Sequence, residues 1–210
     1  MASEPTRGRL GRAFLADYGP FLLAGLALSL AAVGITLAVV GDPERLRAWL
    51  DTYGFLALFL VLILEGAMLL YFAPSESLVP VAVTLLADST FGYAVVILTA
   101  VAGATVGQYA LFLLAKRGGR EYLLQKPWFR VSESALDRFD SWFDRWGRAV
   151  VPASNALLFT RGMVTVPAGL AEMRDAEFVA LSALGSLIFQ TWLALVALYG
   201  LQYLPDWVPV

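Results

Sequence analysis

Three long stretches of the chain contain no charged residue, and each is long enough to cross a lipid bilayer. They run from Pro20 to Val40, from Phe91 to Ala115 and from Phe178 to Leu204. At about 1.5 Å of rise per residue, helices of this length match a hydrocarbon layer of about 30 Å. Because a helix satisfies its own backbone hydrogen bonds in lipid, the pattern predicts an all-α integral membrane protein.

The composition agrees with a membrane location and excludes several classes of site. Hydrophobic residues make up 59% of the chain and charged residues 15%, whereas a soluble domain is usually about a quarter charged. The chain has no cysteine and no histidine, which excludes disulfides, cysteine-ligated metals and histidine-dependent catalysis. A net charge of −2 without a basic tract argues against nucleic acid. We expect no cofactor, no metal and no enzymatic activity.

The first apolar stretch has an alternative interpretation as a cleaved signal peptide. A signal peptide has an apolar core of about 7–15 residues that begins close to the N-terminus. The stretch Pro20–Val40 is longer and begins later, which favours a retained transmembrane helix. A short charged segment follows, and Asp42-Pro43 within it predicts a helix start.

Two apolar segments after this point are too short or too interrupted for ordinary spans. Phe55–Phe72 carries Glu65 at its centre, and Leu78–Ala87 is shorter still. The residues Ala73–Glu76 separate them and include a proline. Broken backbone is tolerated at membrane depth where protein or water surrounds it. The pair therefore predicts a re-entrant helical hairpin.

A second pair of short apolar arms has the same form. Ala149–Phe159 and Met163–Ala171 are joined around Asn155 to Arg161. We predict a second re-entrant hairpin with Arg161 at its tip. Each predicted hairpin is followed by one of the long apolar stretches.

The only extended polar region, Lys116–Arg148, lies between the two hairpins. Within it, Ser132 is a candidate N-cap. The apolar residues that follow recur at helical spacing, which indicates an amphipathic helix on the membrane surface; a short soluble helix in a loop is the alternative. These residues are Leu136, Phe139, Phe143 and Trp146.

The distribution of basic residues predicts the orientation. Three arginines precede the first span, eight basic residues lie in the loop 116–148, two lie in the segment 41–52, and none follows the last span. The positive-inside rule then places the N-terminus and the long loop in the cytoplasm and the C-terminus outside, in a multi-pass plasma-membrane protein.

A short internal similarity suggests a repeat. Leu78–Ala82 resembles Thr165–Gly169 at an offset of 87 residues, and the same offset relates the span at Phe91 to the span at Phe178. Under the predicted orientation, the two hairpin-plus-span units enter from opposite faces. This is the inverted-repeat arrangement of transporters, whose sites lie where broken helices meet near the midplane.

Three stretches of the chain share their residues with one known family of membrane proteins. They are Glu65 with Ala73–Pro80, then Gly103–Tyr109, then Arg161 with Val166–Gly169 and Met173. On these stretches, over roughly 53–201, the chain resembles the DedA family, also called the VTT or SNARE-associated Golgi protein family. The resemblance implies two facing re-entrant hairpins, with acidic residues in the first and arginines in the second.

The resemblance also implies an activity and a division of the chain. Members of the family are implicated in moving lipids between leaflets, and the bacterial branch is linked to undecaprenyl phosphate and phosphatidylethanolamine with dependence on proton motive force. Coupling to protons or Na+ and assembly as a homo-oligomer stay open. The expected division is a tail and first helix (1–52), a membrane domain (53–204, with hairpin 55–87, helix 91–115, loop 116–148, hairpin 149–173 and helix 178–204) and a tail (205–210).

The second hairpin departs from the family pattern. The family commonly has two arginines six residues apart, with a proline three residues after the first. Here Arg161 matches the second arginine, whereas Asn155 stands at the first and Leu158 at the proline. One fixed positive charge is therefore absent, which leaves the charge of the preferred head group open.

Arg161 is the sharpest candidate for ligand contact. A guanidinium holds a phosphate through two parallel hydrogen bonds, and a nearby helix N-terminus adds backbone N–H donors. A structural ion pair with Glu65 or Glu76 is compatible with this role, because a ligand can displace a carboxylate.

The two glutamates are candidates for proton coupling. A carboxylate at the bilayer centre costs about 2.5–3.5 kcal/mol, so Glu65 should be paired, solvated or protonated; the alternative is a structural glutamate at the hairpin break. Glu76 follows Ser75 where the second arm begins, and a simple helix-terminus role is the alternative for it. We add Ser75, Asn155 and Gln108 as further candidate substrate-binding residues; hydrogen bonds in packing are the alternative for the last two.

Three other functions compete with lipid transport. A small-solute or ion exchanger predicts a closed aqueous path in place of a lateral opening. An intramembrane enzyme is disfavoured, because histidine is absent and Asp88 is the only aspartate near an apolar arm. A non-transporting assembly factor predicts that Arg161 is dispensable.

Overall fold

The computed structural model describes residues 22, 24–37, 39–70, 75–125, 133–158 and 160–200, and the regular structure in these ranges is entirely helical. The all-α fold class is therefore confirmed. A 3-10 turn joins the fifth helix to the sixth, and the last helix continues as a π-helix to Gly200. The helices are α1 (Ala24–Leu37), α2 (Pro43–Gly66), α3 (Ser75–Leu86), α4 (Thr90–Gln125), α5 (Glu133–Trp146), α6 (Val150–Ala156), α7 (Thr165–Leu170) and α8 (Asp175–Leu195).

Three of the described helices are long and apolar enough to cross a membrane, namely Pro43–Gly66, Thr90–Gly119 and Asp175–Gly200. The last two lie where the spans at 91–115 and 178–204 were predicted, although residues 201–204 fall outside the described ranges. The predicted span at 20–40 is described only in part, as the shorter helix α1. Its full length stays a prediction.

The helix that contains the apolar segment at Phe55 begins well before that segment. It is α2, a helix of 24 residues in which Pro43 occupies the first turn. Asp42 caps this helix by accepting a 3.0 Å hydrogen bond from the Arg45 N–H, so the expected start at Asp42-Pro43 is confirmed. Charged residues occupy the N-terminal half of the helix, so the apolar segment that begins at Phe55 marks only its C-terminal half. Glu65 consequently lies in the last turn of α2 and not in the middle of an arm.

Small residues bring α2 and α4 into direct backbone contact. A Cβ atom added at Gly103 would lie 2.6 Å from the Phe59 carbonyl oxygen, and one added at Gly107 would overlap the Ile63 carbonyl. Gly66 on α2 likewise faces the Ala104 backbone. Small residues on both helices therefore allow their backbones to approach closely.

The polar region between the hairpins contains two helical segments. Helix α4 continues past the bilayer-length segment to Gln125, through a kink at Gly119, whose φ of 73° favours glycine. The amphipathic helix α5 begins at Glu133, directly after the predicted cap Ser132, which itself lies outside the described residues. Phe143 of α5 packs against a buried cluster under α6 and α7.

The segment predicted as the second hairpin contains two very short helices, α6 and α7, which pack on different long helices. Gly185 of α8 faces α6, where an added Cβ would lie 2.5 Å from the Pro152 carbonyl oxygen. Gly169 of α7 faces α4, where an added Cβ would lie 2.6 Å from the Phe112 carbonyl oxygen. The turn between α6 and α7 therefore connects a helix packed on α8 to a helix packed on α4.

The interior contains two large apolar clusters on either side of this turn. The first joins α2, α3, α4 and α8 and includes Leu62, Val83 and Phe189. The second joins α4, α6, α7 and α8, and its rings of Phe112 and Phe178 stack at 4.2 Å. The outward faces of the helices carry many exposed apolar side chains, as lipid contact requires.

Candidate functional site

A buried ion pair joins the second hairpin to the end of α2. Nε of Arg161 lies 3.1 Å from Oε1 of Glu65, and Nη2 donates to Oε2 at 3.2 Å. The two side chains are 7% and 11% exposed, so neither charge has bulk water as a partner. A buried charge of this kind needs an opposite charge with hydrogen bonds. The predicted juxtaposition of Arg161 with Glu65 is therefore present.

Two residues of α8 complete the surroundings of the guanidinium. With its side-chain amide oriented so that hydrogen bonding is satisfied, Gln190 accepts from Nη1 of Arg161 at 3.1 Å and from Nη2 at 2.9 Å. The ring of Phe189 lies below the guanidinium, 4.4 Å from its central carbon, in a cation–π contact. Sequence reasoning assigned no role to either residue. Carboxylate, carboxamide and ring together fix the arginine in one orientation.

A neutral polar network holds the turn that carries Arg161. Nδ2 of Asn155 donates to Oε1 of Gln108 at 3.1 Å, and Nε2 of Gln108 donates to Oδ1 of Asn155 at 3.2 Å. Ser182 hydrogen-bonds to both residues. Oδ1 of Asn155 also accepts from the Gly162 N–H at 3.1 Å. The hydrogen bonds of Asn155 and Gln108 thus run to each other, to Ser182 and to the backbone of the turn.

The turn itself has a conformation that the sequence prepares. The hydroxyl of Thr160 donates to the Ser154 carbonyl at 3.1 Å, and the Ser154 hydroxyl donates to the Thr160 carbonyl. Gly162 has a φ of 75°, in the region that favours glycine. Arg161 lies between these two features, so its backbone is fixed on both sides.

The other two predicted site residues lie at the start of α3. Glu76 is in the first turn of that helix with an exposed side chain, and it is near enough to Arg161 to interact with it electrostatically. Ser75 is the first residue of α3, and its side chain lies outside the described part of the structure. A ligand role for either residue stays a prediction.

A second polar cluster joins α4 to the first residue of α8. Nζ of Lys116 contacts Oδ1 of Asp175 at 2.7 Å and donates to the Met173 carbonyl at 2.8 Å. The Tyr109 hydroxyl donates to Oδ2 of the same aspartate at 3.1 Å. Tyr109 is therefore a hydrogen-bond partner of the ion pair between Lys116 and Asp175 at the start of α8.

The sequence carried one signal that could have found Gln190. On α4 a glycine that packs on an arm, Gly103, is followed five residues later by the buried Gln108. On α8 the same spacing separates Gly185 from the buried Gln190. Helix α4 thus presents Gly103 to α2, and α8 presents Gly185 to α6, while Gln108 and Gln190 each hydrogen-bond to a residue between 155 and 161.

Comparison with known proteins gives a family and three relatives. Residues 73–199 match the VTT domain, which is more than half of the chain. The chain belongs to the VTT domain family. The matched part of the VTT domain includes Arg161, Asn155, Gln108 and Gln190, whereas Glu65 lies before it. The predicted resemblance to the DedA family is confirmed, together with a membrane location.

The relatives cover most of the chain at low identity. The chain is 25% identical over 165 residues to undecaprenyl phosphate transporter A of Bacillus subtilis (strain 168), covering 78% of this chain and 79% of the relative. It is 23% identical over 158 residues to undecaprenyl phosphate transporter A of Staphylococcus aureus (strain NCTC 8325 / PS 47), covering 73% and 77%. Membrane protein YkoX of Bacillus subtilis is 25% identical over 139 residues, covering 66% and 62%. No solved structure matches the chain significantly.

Proposed function

We propose that this protein transports a phosphate-bearing membrane lipid, of the polyprenyl phosphate class, from one leaflet to the other. The observation that carries the proposal is the buried guanidinium of Arg161 at the turn of the second hairpin, paired to Glu65. A guanidinium is the side chain best suited to bind a phosphate through two hydrogen bonds. Two relatives are named transporters of undecaprenyl phosphate, which supports this lipid class over phosphatidylethanolamine.

The head group would bind in place of the carboxylate. Arg161 is 7% exposed, so a phosphate reaches it only if a present partner leaves. Glu65 lies in the last turn of α2, and the residue two positions beyond the helix end, Met68, has a φ of 59°. A movement at this helix end separates the carboxylate from the arginine without unfolding α2. The hydrocarbon chain of the lipid would stay in the bilayer.

The architecture that fits this function is an inverted repeat of two re-entrant hairpins. Packing between the two halves supports it: α3 of the first proposed hairpin contacts α8 as well as α4, and α7 of the second contacts α4. In addition, α2 packs on α4 and α6 packs on α8, so each first arm packs on its own long helix. The six- and seven-residue helices of the second hairpin are too short to span.

Proton coupling and orientation are further parts of the proposal. Glu65 is the acid that would take up a proton when the phosphate replaces it at Arg161, because a buried unpaired carboxylate is costly. Glu76 supplies a second carboxylate near the same arginine. The N-terminus and the loop 116–148 lie in the cytoplasm in this proposal, and the C-terminus lies outside.

Leaflet exchange of labelled lipids in proteoliposomes tests the function. We expect wild-type protein to exchange a labelled polyprenyl phosphate faster than labelled phosphatidylethanolamine, and we expect R161A to lose the exchange. The matched control is R148A, which removes an exposed arginine from a 2.6 Å ion pair with Glu177. Absence of exchange by folded wild-type protein, or equal exchange by wild type and R161A, would contradict the proposal.

A further inference from the structure

The guanidinium of Arg161 has two hydrogen-bonding edges, and chemically different side chains occupy them. The edge formed by Nη1 and Nη2 faces Gln190, whose amide oxygen accepts from both nitrogens, at 3.1 and 2.9 Å. The edge formed by Nε and Nη2 faces Glu65. There Nη2 makes a hydrogen bond at 3.2 Å, while Nε, 3.1 Å from the carboxylate, lacks hydrogen-bonding geometry. The first edge is fully satisfied and the second only partly.

The two acceptors also differ in how readily they leave. Gln190 lies within α8, is 1% exposed, and carries no group that titrates. Glu65 lies in the last turn of α2 and is neutralised by a single proton. An incoming phosphate therefore meets one edge held by a permanent acceptor and one edge held by an acceptor that protonation removes.

We propose that Gln190 is a positioning residue that restricts the lipid phosphate to the Nε/Nη2 edge of Arg161, so that bound phosphate and ionised Glu65 exclude each other. This inference rests on the proposed function and adds the rule by which protonation regulates the site. Phe189 supports it, because its ring lies 4.4 Å from the central carbon of the guanidinium and limits how far the group can rotate away from Gln190.

The mutual exclusion of phosphate and ionised Glu65 predicts the direction in which phosphate affinity changes with pH. At high pH Glu65 is ionised and competes with the phosphate for the same edge, whereas at low pH it is neutral and leaves the edge free. Phosphate affinity therefore rises as the pH falls. Among the described residues, the charged groups whose fields act on Arg161 are Glu65 on α2 and Glu76 on α3. E76Q is therefore measured beside E65Q to separate the two acids.

The experiment is the binding of a fluorescent short-chain polyprenyl phosphate to full-length protein in nanodiscs over a pH series, with the corresponding neutral polyprenol as the reference probe. The phosphate itself titrates, with a second pKa of about 6. For each protein, the affinity for the phosphate probe is therefore divided by the affinity of the same protein with the additional substitution E65Q. In the E65Q protein the phosphate still titrates, whereas residue 65 does not. The ratio then reports only how ionised Glu65 competes with the phosphate for Arg161.

For wild type, we expect this ratio to change by up to about tenfold per pH unit, the limit for one linked proton. Q190M removes the acceptor from the Nη1/Nη2 edge, so that phosphate can bind there beside ionised Glu65. Its ratio should change by less than about twofold per pH unit under the same linkage. R148A, which removes an exposed arginine that pairs with Glu177, should keep the wild-type pH dependence of the ratio.

Q190E provides a second and opposite test. It places a carboxylate on the edge that Gln190 holds, so phosphate binding at neutral pH should weaken by about tenfold or more through like-charge repulsion. A Q190M ratio with the wild-type pH dependence overturns the inference, and so does a Q190E protein that binds as tightly as wild type. If Q190M does not fold, Q190E decides. Wild-type protein that does not prefer the phosphate probe to the polyprenol overturns the proposed function itself.

Discussion

Asn155 and Gln108 exchange two amide hydrogen bonds, at 3.1 and 3.2 Å, across 47 residues of sequence. Asn155 is 2% exposed and Gln108 1%, and the asparagine oxygen also accepts from the backbone N–H that follows Arg161. At the position where the DedA family commonly has an arginine, this chain therefore uses a neutral amide that is satisfied entirely by protein groups. We propose that Asn155 positions the second hairpin turn and leaves ligand contact to Arg161.

Removing Asn155 should destabilise the protein. N155A leaves the buried Nε2 of Gln108 and the Gly162 N–H without their acceptor, which costs about 1–3 kcal/mol for each buried polar group left unsatisfied. Thermal unfolding in detergent should show a lower Tm. In a double-mutant cycle with Q108A, the coupling should be favourable and about 0.6–1.7 kcal/mol, the range measured for hydrogen bonds between membrane helices. Additive effects would contradict the pairing.

Removing one charge of the buried ion pair should lower the stability more than removing both charges. R161M leaves Glu65 without its cation, and breaking a buried pair costs about 3–5 kcal/mol. The double variant R161M/E65L removes both charges and should be more stable than R161M alone, although it should not transport. Denaturant unfolding of the three proteins in the same detergent gives the comparison. A double variant less stable than R161M would show that the carboxylate is satisfied without the arginine.

The contact between α2 and α4 should tolerate no additional carbon atom at its centre. G107A places a Cβ against the Ile63 carbonyl, so the helices must separate at the level where α2 presents Glu65. We expect a loss of about 1–3 kcal/mol, as for other overpacked contacts, together with reduced lipid exchange. G25A is the matched control, because nothing lies within 4 Å of a Cβ added there. Equal Tm values for the two variants would be inconsistent with this helix packing.

The orientation is testable without altering the background, because the chain has no cysteine. S134C introduces a thiol at an exposed position on α5, and G41C introduces one between α1 and α2. In intact cells an impermeant maleimide should label G41C and leave S134C unlabelled until the membrane is opened. The reverse pattern would contradict the positive-inside assignment.

The sequence alone determined the features that depend on local composition. Charge-free stretches of bilayer length marked the segments that became α4 and α8, and Asp42-Pro43 marked the start of α2. Arg161 was recognisable as a candidate because it is a cation between two short apolar arms. Charged residues are costly within a membrane and are therefore usually functional there. The amphipathic pattern after Ser132 indicated α5.

Only the tertiary structure decided which groups meet. Glu65 and Arg161 are 96 residues apart in the chain, and nothing local to Gln190 distinguished an amide that holds a guanidinium from one that fills a helix interface. Helix lengths set the depth at which each side chain lies, and the charged N-terminal half of α2 concealed the length that places Glu65 at a helix end. The apolar pattern of a segment follows from the solvent around it and can be read locally. The pairing of polar side chains follows from how the segments pack, and this packing depends on residues throughout the chain.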